Sequence, residues 1–126
     1  MSNKDINKLT GKIVGLAIET HRELGPGLLE SVYKTCLAYE LRQNSLDFTS
    51  EKQIPIIYKE IALECGFRAD IIVENSIILE LKAVEKILPI HQAQLITYLK
   101  LTGLKMGFIF NFNVIRLKDG IRRIVL

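Results

Sequence analysis

The sequence predicts an α/β fold in which one layer of helices packs on a mixed β-sheet. In the first forty residues, apolar side chains recur every three or four positions, as they do in amphipathic helices. From Phe48 onward the apolar period changes to two, and β-branched and aromatic residues become frequent, as in strands. A strand–helix–strand unit over residues 77–112 then has the form of a right-handed parallel crossover.

Three helices are predicted. The first has an apolar stripe over residues 6–24 and ends at the Gly-Pro-Gly turn of residues 25–27, because glycine and proline together form a turn. The second has its stripe over residues 29–41. The third spans residues 89–103, opening with proline and closing with glycine, which is the expected asymmetry of helix ends.

Five strands are predicted, at roughly residues 48–58, 61–73, 77–84, 106–113 and 120–126. The segment Phe108-Ile109-Phe110 is apolar on both faces, which is typical of a strand that is covered on both sides. The element order is α-α-β-β-β-α-β-β, without a repeat or a linker, and we expect a single domain over residues 1–126.

Composition and charge leave two questions open. The chain of 126 residues is 48% hydrophobic, an excess that predicts a surface for self-association as a homodimer. The net charge is only +3. Basic residues cluster near both termini, and either cluster fits a solvated surface or a nucleic-acid footprint equally well. The clusters are Lys4, Lys8 and Lys12, and Arg116, Lys118, Arg122 and Arg123.

Cysteine usage and hydropathy indicate the compartment. Cys36 and Cys65 lie in apolar segments without metal-ligand spacing, so we expect buried free thiols in a reducing environment. No apolar run reaches the roughly 18 residues of a membrane span, and the N-terminus lacks the pattern of a secretory signal. We therefore expect a soluble, cytoplasmic protein without a membrane partner.

The chemistry concentrates in Asp70, Glu80 and Lys82. Glu80 and Lys82 stand two residues apart in a strand, so they point to one face about 6–7 Å from each other. Charges on an otherwise apolar strand are costly unless they pair or bind a metal. A three-residue turn over residues 74–76 would place Asp70 directly opposite Glu80. A two-residue turn over residues 75–76 would put them on opposite faces. We predict the three-residue turn, with Asp70, Glu80 and Lys82 on one face of the sheet.

Two interpretations of this triplet are open on the residues alone. Two neighbouring carboxylates favour a hard divalent cation, Mg²⁺ or Mn²⁺, which could activate a water for attack on a phosphate. Lys82 could orient that water or stabilise the charge on the phosphate. The alternative is a solvated hairpin with an ordinary Glu–Lys pair, because a D…ExK pattern is short and common.

Two further motifs accompany the triplet. Residues 27–33 read Gly-x-x-Glu-x-x-Tyr, and residues 94–98 read Gln-x-x-x-Tyr. With Asp70 and the Glu-x-Lys of residues 80–82 in this order, the chain resembles the GxxExxY family of PD-(D/E)XK nuclease-like proteins. The resemblance extends over about residues 21–123.

This resemblance implies a restriction-endonuclease-like core, α-β-β-β-α-β, here with an extra N-terminal helix and a C-terminal strand. Ala69 stands where the superfamily name has a proline, whose role is backbone geometry. The implied site has metal ligands, a catalytic lysine and two substrate-binding residues. The implied metal ligands are Asp70, Glu80 and Glu30, which are also counted as catalytic. The implied catalytic lysine is Lys82, and the implied substrate-binding residues are Gln94 and Tyr98.

The function expected from this resemblance is a Mg²⁺- or Mn²⁺-dependent nuclease that acts on DNA in preference to RNA. The alternative is a catalytically silent module that keeps the fold and binds nucleic acid or a protein partner. The complete triplet favours the nuclease. For Gln94 and Tyr98, the competing interpretation is packing beside the apolar stripe of their helix. The two histidines, His21 and His91, are interpreted as surface or helix-end residues. The alternative for His91, which shares a helix side with Gln94 and Tyr98, is a role at the substrate phosphate.

Overall fold

A computed structural model describes the backbone of residues 1–126 and every side chain except that of Cys65. The elements follow the predicted order, with β3 and β4 each ending two residues earlier than expected and one unpredicted 3-10 turn before β5. They are α1 Asn3–Leu24, α2 Glu30–Gln43, β1 Phe48–Tyr58, β2 Ile61–Val73, β3 Ile77–Lys82, α3 Pro89–Thr102, β4 Met106–Asn111, the 3-10 turn Leu117–Gly120 and β5 Ile121–Val125.

The five strands form one mixed sheet in the order β1-β2-β3-β4-β5. β3 and β4 are parallel, which confirms the predicted parallel crossover through α3, and the other neighbours are antiparallel. The carboxyl ends of β3 and β4 therefore meet at one edge, where Lys82 lies opposite Asn111. We call this edge of the sheet the carboxyl edge.

Helices cover both faces of the sheet. α1 and α2 pack on the face that carries Leu79 and Phe110. α3 covers the other face, where Leu95 clusters with Ile78 and Ile109. The prediction of a single helical layer is wrong, because apolar side chains of β3 and β4 point to both faces and each face needs a cover.

Gly107 allows α3 to lie directly on the sheet. A Cβ atom at this position would stand 2.8 Å from Cδ1 of Leu95 and 3.1 Å from the carbonyl oxygen of Ile78. The missing side chain of Gly107 therefore sets the depth at which the crossover helix packs.

The β1–β2 hairpin extends past the rest of the sheet. β2 pairs with β3 only over residues 71–73, so the earlier part of β2 and its partner β1 project beyond the carboxyl edge. The tip exposes Ile57 (71%), Tyr58 (59%) and Ile61 (58%). An exposed apolar surface does exist, as the composition predicts, and homodimer formation stays a prediction.

The thiols and the helices bear on the compartment that the sequence predicts. Cys36 is a free thiol, as predicted, and is half-buried rather than buried. The same prediction for Cys65 falls on a side chain outside the described ones. Among the described helices, none combines the length and the hydropathy needed to cross a membrane.

Candidate active site

The turn between β2 and β3 sets the register of the site. It comprises residues 74–76, with Val73 opposite Ile77, so the predicted three-residue turn is confirmed. Backbone φ is positive at its first two residues, Glu74 and Asn75, at 51° each, a conformation in which asparagine is enriched among the non-glycine residues. Continued along the strands, this register puts Asp70 opposite Glu80.

Where Asp70 faces Glu80, hydrogen bonds from backbone to side chain take the place of the backbone hydrogen bonds between β2 and β3. Backbone pairing of β2 with β3 reaches only Ile71 and Leu79. At the next position the backbone N–H of Asp70 donates to Oε2 of Glu80 at 2.9 Å. The backbone N–H of Leu81 donates to Oδ2 of Asp70 at 2.9 Å. Each carboxylate thus has one oxygen held by an amide of the other strand, and Oδ1 of Asp70 and Oε1 of Glu80 are left for a further ligand.

Burial makes this pair of carboxylates electrostatically unfavourable. Glu80 is only 8% exposed. Its burial, and next the charge of Asp70, raise the pKa of Glu80 to about 7, although the Asp70 amide and Lys82 act in the opposite direction. A divalent cation would add counter-charge to that of the nearby lysines, and two oxygens from two carboxylates suit Mg²⁺ or Mn²⁺. The donor chemistry of the pair therefore fits such an ion.

The Gly-x-x-Glu-x-x-Tyr motif shapes the start of α2. Gly27 has φ of 94°, a conformation that favours glycine. The hydroxyl of the buried Tyr33 donates to the carbonyl of Gly25 at 2.6 Å and accepts the N–H of Leu28 at 3.1 Å. Glycine and tyrosine of the motif are thus structural, and they hold the loop that places Glu30 as the first residue of α2.

Glu30 lies near the carboxylate pair but does not complete a three-ligand group. Its side chain is exposed, and desolvation followed by the charge of Asp70 raises its pKa, while Lys82 lowers it. Among the described side chains, no three acidic, histidine or cysteine groups are close enough to hold one ion together. Glu30 therefore occupies an outer position, and its role as a direct metal ligand stays a prediction.

Lys34 is a site residue that sequence reasoning missed. It lies one helical turn after Glu30, and its Nζ stands 3.9 Å from Oδ1 of Asp70 while also pairing with Glu51. The sequence feature that pointed to Lys34 is its (i, i+4) spacing from Glu30, which puts both side chains on one side of α2. A positive charge therefore already stands beside the oxygen of Asp70 that no amide holds.

The end of the Glu-x-Lys strand is clamped to β4. Lys82 is close enough to lower the pKa of both Glu80 and Glu30, and its carbonyl accepts the N–H of Phe112 at 2.9 Å. Asn111, which is 1% exposed, bonds through its side chain to the N–H and the carbonyl of Val84, at 3.0 and 2.9 Å. Sequence reasoning assigned Asn111 no role, although a polar residue ending an apolar strand was a visible signal.

The other face of the sheet contributes Tyr98 from α3. Its ring stacks on Phe67 with centroids 3.4 Å apart and planes 5° apart. Burial, followed by the charges of Glu80 and Asp70, raises the pKa of Tyr98. α3 thus brings Tyr98 toward the two carboxylates, whereas Gln94, about one turn earlier, is exposed. Side chains from both helical layers therefore reach the carboxyl edge.

Both histidines have structural contacts at helix ends. Nδ1 of His91 accepts the backbone N–H of Leu88 at 3.0 Å, in the first turn of α3. Nε2 of His21, in the last turn of α1, lies 3.1 Å from the carbonyl oxygen of Phe112 and 2.8 Å from that of Val114. The helix-end interpretation is confirmed for both. The surface alternative is wrong for His21, which is 6% exposed.

Comparison with known proteins identifies the superfamily of the chain. A family model described as the PD-(D/E)XK nuclease superfamily matches residues 7–124, nearly the whole chain. No curated protein and no solved structure matches the chain significantly. The order α2-β1-β2-β3-α3-β4 is the restriction-endonuclease-like core α-β-β-β-α-β. The chain therefore belongs to the PD-(D/E)XK nuclease superfamily.

Proposed function

We propose that this protein is a metal-dependent nuclease, within the GxxExxY group, that hydrolyses phosphodiester bonds of DNA in preference to RNA. The observation that carries the proposal is the interruption of the β2–β3 ladder, where the carboxylates of Asp70 and Glu80 replace backbone partners. A purely structural hairpin would keep its ladder and leave both carboxylates in solvent. Burial of a repelling pair is costly, and a bound cation would offset the part of that cost that Lys34 and Lys82 leave.

Each group then has a chemical role. Oδ1 of Asp70 and Oε1 of Glu80 would hold Mg²⁺ or Mn²⁺, with water completing the coordination. Such an ion, when bound, polarises a phosphoryl oxygen and lowers the pKa of the attacking water. Lys82 would orient the water or stabilise charge on the phosphate. Glu30 would contribute through water from its outer position, and Gln94 and Tyr98 would contact the substrate phosphate.

The test is a cleavage assay with a matched set of variants. The protein is incubated with linear and circular DNA, single- and double-stranded, and with RNA, in Mg²⁺, in Mn²⁺ and in EDTA. Cleavage of DNA that requires the metal is expected, and the circular substrates distinguish endonucleolytic from exonucleolytic cutting.

Variants identify the source of the activity. Asp70→Asn, Glu80→Gln and Lys82→Ala should each abolish cleavage, while Glu60→Gln, at the exposed β1–β2 turn, should retain it. Equal cleavage by wild type and Glu80→Gln would indicate a contaminating nuclease or a site elsewhere. Absence of cleavage with every substrate would instead favour the silent binding module.

A further inference from the structure

A basic cavity lies apart from the two carboxylates of the candidate active site. It has a volume of about 350 Å³ and lies between the C-terminal end of α1 and the loop that follows β4. Its charged residues are all basic, and no acidic residue lines it among the described side chains. The lining comprises Ile18, His21, Arg22, Ile115, Arg116, Leu117 and Lys118. We call it the basic pocket.

The basic pocket opens at the same edge as the candidate active site. It is formed by the loop leaving β4 after Asn111, which is the strand partner of Lys82. The N–H of Phe112, the next residue, donates to the carbonyl of Lys82. The N-terminal end of α1 lies at the opposite edge, where Ile6 and Gly103 border a different cavity. α1 thus runs across the sheet, and its last turn reaches the carboxyl edge.

The walls of the basic pocket are held in place. His21 anchors the loop through the carbonyls of Phe112 and Val114. Leu117, which is 3% exposed, packs into the core, so its neighbours Arg116 and Lys118 remain exposed. A ligand would therefore meet basic side chains on a preformed frame, which lowers the entropic cost of binding.

Its positive charges are largely uncompensated. Among the described side chains, neither Arg116 nor Lys118 has an acidic partner within 4.0 Å. Arg22 stands 3.7 Å from Glu19, but both side chains are well exposed (72% and 45%), and such pairs are weak. Guanidinium groups bind phosphate oxygens in a bidentate manner, and a lysine adds a point charge. The apolar wall of Ile18 and the 85%-exposed Ile115 suits the sugar or base next to a phosphate.

We propose that the basic pocket binds a backbone phosphate of the nucleic-acid substrate, away from the phosphate that is cleaved. This inference rests on the proposed nuclease function, which it extends by naming where the strand is held. Arg116 and Lys118 would bind the phosphate and fix the path of the strand between the pocket and Lys82.

The test measures binding without cleavage. A fluorescein-labelled oligodeoxynucleotide, its duplex and the matching RNA are titrated in EDTA at several KCl concentrations, with anisotropy as the readout. The Arg116→Ala/Lys118→Ala variant is compared with Lys4→Ala/Lys8→Ala, which removes two exposed charges at the opposite edge. All four residues are exposed, so both variants should fold, and circular dichroism checks this.

The pocket variant should bind about tenfold more weakly than wild type. Its slope of log affinity against log salt should fall by roughly 0.7–0.9, since the pocket holds one phosphate and each neutralised phosphate contributes about that much. The control variant should change both values much less. Equal losses in the two variants would indicate diffuse attraction and overturn the proposal, as would unchanged binding of the pocket variant or no binding by wild type.

The two proposals fail separately. A pocket-dependent affinity in EDTA without any cleavage in Mn²⁺ would support the basic pocket and refute the nuclease. If the wild type cleaves DNA only with metal but its affinity does not depend on Arg116 and Lys118, the nuclease is supported and the basic pocket is refuted.

Discussion

Replacing Glu80 by glutamine should change stability and metal response in opposite directions. Glutamine keeps the size of the side chain and an oxygen that can accept the N–H of Asp70, and it removes the buried charge. The variant therefore isolates the electrostatic cost of an ionised carboxylate beside Asp70.

The sign and the size follow from the pKa. Glu80 has an ordinary value of 4.5, which the fold raises to about 7. Because the folded chain binds this proton more tightly, its stabilising effect is complete below about pH 4.5 and is lost as the pH rises through 7. A tenfold change in proton affinity corresponds to about 1.4 kcal/mol, so ionised Glu80 lowers the free energy of unfolding by roughly 3 kcal/mol at pH 8.

In EDTA at pH 8, Glu80→Gln should thus be roughly 2–3 kcal/mol more stable than wild type, with the gain shrinking toward pH 5. Urea denaturation followed by circular dichroism measures this, with Glu60→Gln as the control for removing an exposed glutamate. Added Mn²⁺ should stabilise wild type by mass action and leave Glu80→Gln unchanged. A variant less stable than wild type at pH 8, or an equal gain in Glu60→Gln, would refute the reasoning.

Three further predictions concern metal and substrate. Asp70→Asn should remove Mn²⁺ binding in a calorimetric titration while the protein stays folded; unchanged affinity would place any metal elsewhere. Gln94→Ala and Tyr98→Phe should lower nuclease turnover without lowering the melting temperature, because Gln94 is exposed and phenylalanine preserves the stack on Phe67. Full turnover in both variants would assign them to the scaffold. Lys34→Met should raise Mn²⁺ affinity by about two- to fivefold, since it removes a charge 3.9 Å from Oδ1 of Asp70. A weaker affinity would mean that Lys34 positions the carboxylate.

The sequence by itself determined the elements and the register of the site. Helical spacing, the change to period two at Phe48, and the Pro–Gly limits of α3 predicted the order of every helix and strand. The three-residue turn over residues 74–76 was sufficient to place Asp70 opposite Glu80. These features depend on neighbours close in the chain, which is why local patterns specify them.

The tertiary structure alone decided how the elements surround that site. Covering both faces of the sheet brings α2 and α3 to one edge, so that Lys34 pairs with Asp70 from one layer, and the charges of Asp70 and Glu80 raise the pKa of Tyr98 in the other. The clamp by Asn111 and the meeting of Arg22 with Arg116 also join residues far apart in the chain. The positions of these residues depend on strand order and helix packing. A sequence pattern predicts which residues share one face of a helix or strand, but it does not specify which other element packs against that face.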